Sequence, residues 1–223
     1  MQHISIGEEL GKKVPEIVLS CIECDVHIEE KNIKLWNEVE EQIKALNDSL
    51  RVEEISQLPA IAASRRAYKK CGKDPARYRL SAEALLRRVL KRGEICQVNN
   101  VVDQLNLVSI SSGFSIGGYD ADKIEGNITF GIGKKEEFYE GIGRGELNIE
   151  NMPVFRDAKG AFGTPTSDSV RTCVTENTRR FLMIIIAYEP IELLKNAIEK
   201  AERLLKIYAD ATNFELKTIQ AIK

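Results

Sequence analysis

Thr178 to Tyr188 reads as a strand that is apolar on both faces, and from Phe181 to Ala187 it carries no polar residue at all. A strand of this kind belongs at the centre of a sheet covered on both sides, because neither of its faces can be left to water. Seven apolar residues fall far short of the roughly 20 that a membrane-spanning helix needs. The chain is 223 residues long with 43% hydrophobic and 30% charged residues, enough to bury an ordinary core.

Around that strand the pattern alternates between helices and short strands. Ile17 to Ile28 alternates as a first strand. Lys34 to Leu50 places Leu35, Val39, Ile43, Leu46 and Leu50 at helical spacing. Leu58 to Lys70 reads as a second helix stopped at Gly72. A third runs from Ser81, a good N-cap, to Gly93, and a fourth from Asn99 or Asn100 to about Ser111 before Gly113. Glycines then multiply, and short strands are expected at Asn127–Ile132, Glu137–Ile142 and Pro153–Arg156, with turns at Gly131–Gly133 and Gly141–Gly145. Ile191 to Ala211 predicts the longest helix, with an inner stripe starting at Ile191, and Phe214 to Ile222 a final strand. No repeat or Pro/Ser-rich linker divides the chain, so residues 1–223 are expected to form one α+β domain.

Charge is unevenly distributed. Between Ser64 and Arg92 eleven Lys or Arg residues face only Asp74 and Glu83, a net +9, which leaves −11 for the rest of a chain whose formal charge is −2. Such a segment is either a pair of solvated amphipathic helices or a face for a polyanion. Arg65, Arg66, Lys69, Lys70, Arg77, Arg79, Arg87 and Arg88 are the candidate RNA contacts, with Tyr68 and Tyr78 placed among them to stack on bases. Overall acidity argues against tight non-specific binding to duplexes.

Cysteine and histidine usage argues by exclusion. Cys21 and Cys24 form a C-x-x-C with no second pair, and three residues apart on a strand they point to opposite faces. They are expected in the core, and no metal or cofactor is expected. Five cysteines and an acidic N-terminus without an apolar stretch suit a reducing, cytoplasmic setting rather than secretion. His3 falls at a terminus expected to be mobile, and His27 at the end of the first strand reads as surface polar. Walker A, G-x-S-x-G and dinucleotide fingerprints are missing, so those enzyme classes lack support.

Two segments carry chemistry. Asn100, Asp103 and Asn106 recur at steps of three on the fourth helix, where they either form a polar pocket wall or stitch neighbouring loops. Gly160 to Thr172 packs Thr164, Thr166, Ser167, Asp168 and Arg171 into an irregular stretch that binds something polar or ties a turn. Arg171 can hold an anionic ligand or pair with Asp168.

Val101-Val-Asp103-x-x-Asn106 followed by Gly113 and then Tyr119-Asp120-Ala-Asp122-Lys123-Ile124-Glu125-Gly126 resembles the B3/B4 module of the phenylalanyl-tRNA synthetase beta subunit. Ser81 with Arg87 or Arg88 resembles that module's upstream helix motif. The resemblance covers about residues 64–188 and implies a layered B3/B4-type α+β fold with mixed sheets and flanking helices. A strand–helix would precede this core and a helix–strand would follow it. In the synthetase the module hydrolyses tyrosine wrongly attached to tRNA, which implies tRNA or aminoacyl-tRNA as partner and deacylation in trans as activity. Two family groups are missing: the editing histidine falls on Gly117, and the pocket glutamate near Pro165.

On this hypothesis Asp168 orients water and Thr166 or Ser167 stabilises the oxyanion. Asp103 holds the substrate amine, and Asn100, Asn106, Gly117, Thr164 and Arg171 complete the pocket. The alternatives are a non-catalytic RNA binder, a pocket for a free amino acid or small metabolite, and a protein adaptor. Salt separates the first two, since only RNA binding should weaken steeply as salt rises.

Overall fold

The computed structural model describes residues 1–190 and 192–221. The two-faced apolar strand forms as β9 (Arg180–Ala187), with Phe181 to Ala187 fully buried. It lies inside a sheet of order β10-β2-β9-β3, between β2 (Val18–Asp25) and β3 (Ser115–Asp120). β10 (Thr212–Gln220) forms the far edge, and every pairing in this sheet is antiparallel.

A second sheet, of order β1-β4-β7-β8, combines β1 (Ile4–Ile6), β4 (Ile128–Ile132), β7 (Pro153–Asp157) and β8 (Gly160–Gly163). β1 runs parallel to β4 and the other pairs are antiparallel, so the sheet is mixed. Leu182, Ile184 and Ile186 of β9 pack against this sheet through Ile128, Phe130, Phe155 and Phe162. Phe181, Met183 and Ile185 face the opposite way, into the helices. Three layers result, helices on sheet on sheet, and both faces of β9 are accounted for.

The helices are α1 (Glu8–Lys13), α2 (Ile33–Ser49), α3 (Pro59–Cys71), α4 (Ser81–Arg92), α5 (Asn100–Ser112) and α6 (Leu193–Tyr208). Asn99 caps α5 by accepting from the Val102 N–H at 2.9 Å, and Gly113 ends it in the left-handed region at φ 79°. This glycine turns the chain directly into β3. Cys24 points into the helical layer and Cys21 between the sheets, as the strand alternation requires. Burial pushes both thiols up to about 12.

The N-terminus differs from expectation: instead of a mobile end, Ile4–Ile6 pairs with Ile128–Phe130 and α1 follows. Three- and six-residue elements are too short for a hydrophobic period to register. The segment expected as a strand at Glu137–Ile142 contracts to a small hairpin of β5 (Glu140–Gly141) and β6 (Gly145–Glu146). Gly131 lies inside β4 rather than in a turn, and Gly160–Gly163 is a strand rather than loop. Ser81 is not the N-cap of α4: Leu80 holds that position, and the Ser81 N–H donates to the Pro165 carbonyl at 2.8 Å. α6, with 16 residues, is shorter than the 17 of α2, and the expected ends at Ile191 and Ile222 lie outside the described residues. Among the described residues no helix is long and apolar enough to cross a membrane.

Candidate functional site

β3 is the open edge of the central sheet, and beside it α4, α5 and the 164–174 loop enclose a cavity of about 310 Å³. Its wall is mostly aliphatic: Leu85 from α4, Val102 and Leu105 from α5, Ile116 from β3, and Val98, Ile142 and Val174 from the connections. Asn106, Ser81, Ser109, Cys173 and Asp168 add polar atoms. The Ser109 hydroxyl is already committed, donating to the Phe114 carbonyl at 2.8 Å.

Asp168 is the acid of this cavity. The Tyr119 hydroxyl donates to its Oδ1 at 2.9 Å and the Gly118 N–H to its Oδ2 at 3.3 Å, so the carboxylate caps the edge of β3. Burial pushes Asp168 up to about 7, against the downward pull of these two hydrogen bonds. Tyr119 is itself buried, and burial first and the Asp168 charge second hold its phenol well above the usual range.

The phenol of Tyr119 occupies space that two glycines leave open. It packs edge-on against Phe155 and Phe162. A Cβ on Gly117 would lie 2.5 Å from the Tyr119 Cζ, and one on Gly163 would lie 2.7 Å from it. Strand alternation turns Gly117 and Tyr119 away from the cavity, while Ile116 and Gly118 line it. Gly117 is therefore not a lining residue.

Of the polar residues proposed from the sequence, Asp168 and Asn106 reach the cavity. Asn100 is fully buried and stitches three segments: its Oδ1 accepts from the Glu29 N–H, and its Nδ2 donates to the carbonyls of His27 and Tyr208. Asp103 accepts from Trp36 Nε1 at 2.8 Å and from the Val98 N–H at 2.9 Å, sealed from solvent, and burial raises its pKa. Neither can receive a substrate amine as they stand.

The hydroxyl-rich loop is tied to itself. Thr164 Oγ1 accepts from the Thr166 and Ser167 N–H groups and donates to the Ser167 carbonyl. Thr166 shares a 3.0 Å hydrogen bond with the Tyr68 hydroxyl, deep in the protein. Ser167 contacts the Asp168 carbonyl at 3.4 Å and does not line the cavity. Arg171 holds Asp157 through two bonds of 2.8 and 2.9 Å rather than Asp168 or an open site. The oxyanion role expected of Thr166 and Ser167 is thus not matched by their placement. Sequence reasoning missed the pairing of Tyr119 with Asp168; the alternation of Gly117 and Tyr119 along one strand was the available signal.

Five of the eight candidate RNA contacts pair with an acid. Arg65, Arg79 and Arg87 surround the carboxylate of Glu83 at 2.8, 3.6 and 3.1 Å, and only 1% of that side chain is exposed. Arg66 holds Glu189, and Arg88 lies 3.9 Å from Glu94. Tyr68 is buried and cannot stack on a base, whereas Tyr78 carries the Lys73 ammonium 3.8 Å above its ring. Lys69, Lys70 and Arg77 are exposed, and among the described residues no acid pairs with them. Removing the central acid leaves three guanidinium groups facing one another. Glu83→Gln is therefore expected to lower stability by about 2 kcal/mol, read from the denaturant midpoint at unchanged m-value.

The three-layer α+β fold is one that a solved structure shares. An N-terminal fragment of the phenylalanyl-tRNA synthetase beta subunit from Pyrococcus horikoshii shares it with TM-score 0.50 at 15% identity. The alignment covers 97% of this chain and 50% of that fragment, so the chain spans about half its length. A family model described as the B3/4 domain matches residues 63–220, taking in α6 and β10. The chain belongs to the B3/4 domain family, as the motif from Val101 to Gly126 implies. No curated protein matches it.

Proposed function

We propose that this domain binds the acceptor end of an aminoacyl-tRNA and hydrolyses the aminoacyl ester in trans. The observation that carries the reading is Asp168, a carboxylate set in an aliphatic cavity beside the strand that bears the B3/4 motif. An aminoacyl ester is already activated, so a site that holds it against a water or a ribose hydroxyl needs little further chemistry. In this role Asp168 positions the reacting end, and Asn106 is the lining amide available to the ester carbonyl. Family membership supports tRNA as the partner, with Lys69, Lys70 and Arg77 as the exposed cations for its phosphates.

The test is deacylation of a panel of correctly and wrongly charged tRNAs by the purified protein, with binding of uncharged tRNA measured alongside. Release of one amino acid well above its spontaneous rate is expected, with binding that weakens steeply as salt rises. Changing Lys69 and Lys70 together to Ala should reduce the log–log salt slope by roughly 2, close to one per phosphate contact. Binding without release would leave an RNA-binding module, and the absence of both would overturn the reading.

A further inference from the structure

Among the described residues, Asp168 has no counter-ion. Seven aliphatic side chains line the cavity around it, and among the described residues no lysine, arginine or histidine does. Its two hydrogen-bond donors, the Gly118 N–H and the Tyr119 hydroxyl, are neutral. Arg171, three positions along the chain, is committed to Asp157. An ionised carboxylate in such a place is stabilised most by a cation that the ligand brings.

The same wall constrains the rest of the ligand. It offers no positive group to an anion, so a free amino acid would carry its own carboxylate into an aliphatic cavity with nothing to pair it. Esterified or amidated, the carboxyl is neutral and that penalty disappears. A volume of about 310 Å³ lies at the low end of small-ligand sites and suits a single amino acid.

We infer that the cavity takes an apolar amino acid whose carboxyl is esterified or amidated, with its α-ammonium on Asp168 and its side chain against the aliphatic wall. The amine thus goes to Asp168, not to the sealed Asp103. This assignment rests on the reading of this cavity as the functional site and narrows its substrate to a class. It separates an aminoacyl group from the free amino acid and assigns the selecting residue.

Calorimetric titration of the full chain at pH 7 tests it, with four probes: leucinamide, free leucine, 4-methylpentanamide (which lacks the amine) and serinamide. Leucinamide is expected to bind at least about tenfold more tightly than each of the others. Valinamide and phenylalaninamide extend the apolar series. Asp168→Asn should erase the advantage of leucinamide over 4-methylpentanamide. The probe comparisons use the unaltered chain and stand whether or not that variant folds. Equal binding of leucine and leucinamide overturns the assignment, as does equal binding of the deaminated amide, or no binding by any apolar amide. Selective binding of leucinamide without deacylation of any charged tRNA would uphold the assignment and remove the tRNA reading. Deacylation without selectivity among the probes would do the reverse.

Discussion

Gly117→His is expected to destabilise the protein and to add nothing to its deacylation rate, although it places histidine where the resemblance puts the synthetase module's editing histidine. The reason is Tyr119. Even a Cβ at position 117 would sit 2.5 Å from the Tyr119 Cζ, well inside contact distance. The ring can be displaced only at a cost, because it is fully buried against Phe155 and Phe162 and its hydroxyl is tied to Asp168. Gly117→Ala alone should therefore cost about 3 kcal/mol or more, at the upper end of overpacking effects. Gly163→Ala should behave alike, since its Cβ contests the same phenol at 2.7 Å. Their combination should cost less than the sum, because one displacement of Tyr119 relieves both. Denaturant midpoints of the three variants test this. A change within about 0.5 kcal/mol for Gly117→Ala would mean that the phenol is not held where the structure places it. The acid, the phenol and the two glycines thus form one unit, which leaves no room for a histidine at 117.

That unit was only half legible in the sequence. The central strand was plain because both of its faces are apolar over seven residues, which leaves no other place in a layered domain. The ends of α5 were equally plain, since Asn99 and Gly113 each have a specific backbone task. The stripe Asn100–Asp103–Asn106 was less reliable. Steps of three on an α-helix fall short of a full turn by about 60° each, so Asn106 lies roughly 120° around the helix from Asn100. One end of the stripe therefore reaches the cavity while the other stitches loops. Partner choice was least legible. Arg171 lies three residues from Asp168, yet it pairs with Asp157 at the end of another strand. The +9 segment likewise hides Glu83, a single buried acid that occupies three of its arginines. Charge counts along a chain do not distinguish a cation facing water from one already neutralised in the fold.

Asp168→Asn is expected to remove activity while making the protein more stable at pH 8, a combination that a merely structural residue would not give. The sign follows from linkage. An aspartate in an unfolded chain titrates near 3.9, whereas burial raises Asp168 to about 7 in the folded protein. Between those values the folded state holds a proton that the unfolded state has lost, so this residue's contribution to stability falls as pH rises from about 4 to about 7. Above pH 7 the carboxylate is ionised in its aliphatic surroundings and the full penalty is present. Allowing for its partial exposure, that penalty is roughly 2–3 kcal/mol. Tyr119, the phenol that faces it, stays protonated throughout this window.

Asparagine keeps the shape without the charge: its carbonyl can accept from the Gly118 N–H, and its amide can donate to the Tyr119 oxygen. The stability difference between the variant and the parent should thus favour the variant at pH 8 and shrink towards zero at pH 4. Single-turnover deacylation should fall about a hundredfold or more, since the group that positions the ester is gone. Loss of activity with an equal loss of stability at every pH would reduce Asp168 to a cap on the edge of β3. Retained activity would move the chemistry elsewhere in the domain. The gain in stability on losing function is what an acid kept unpaired for a cationic ligand should produce.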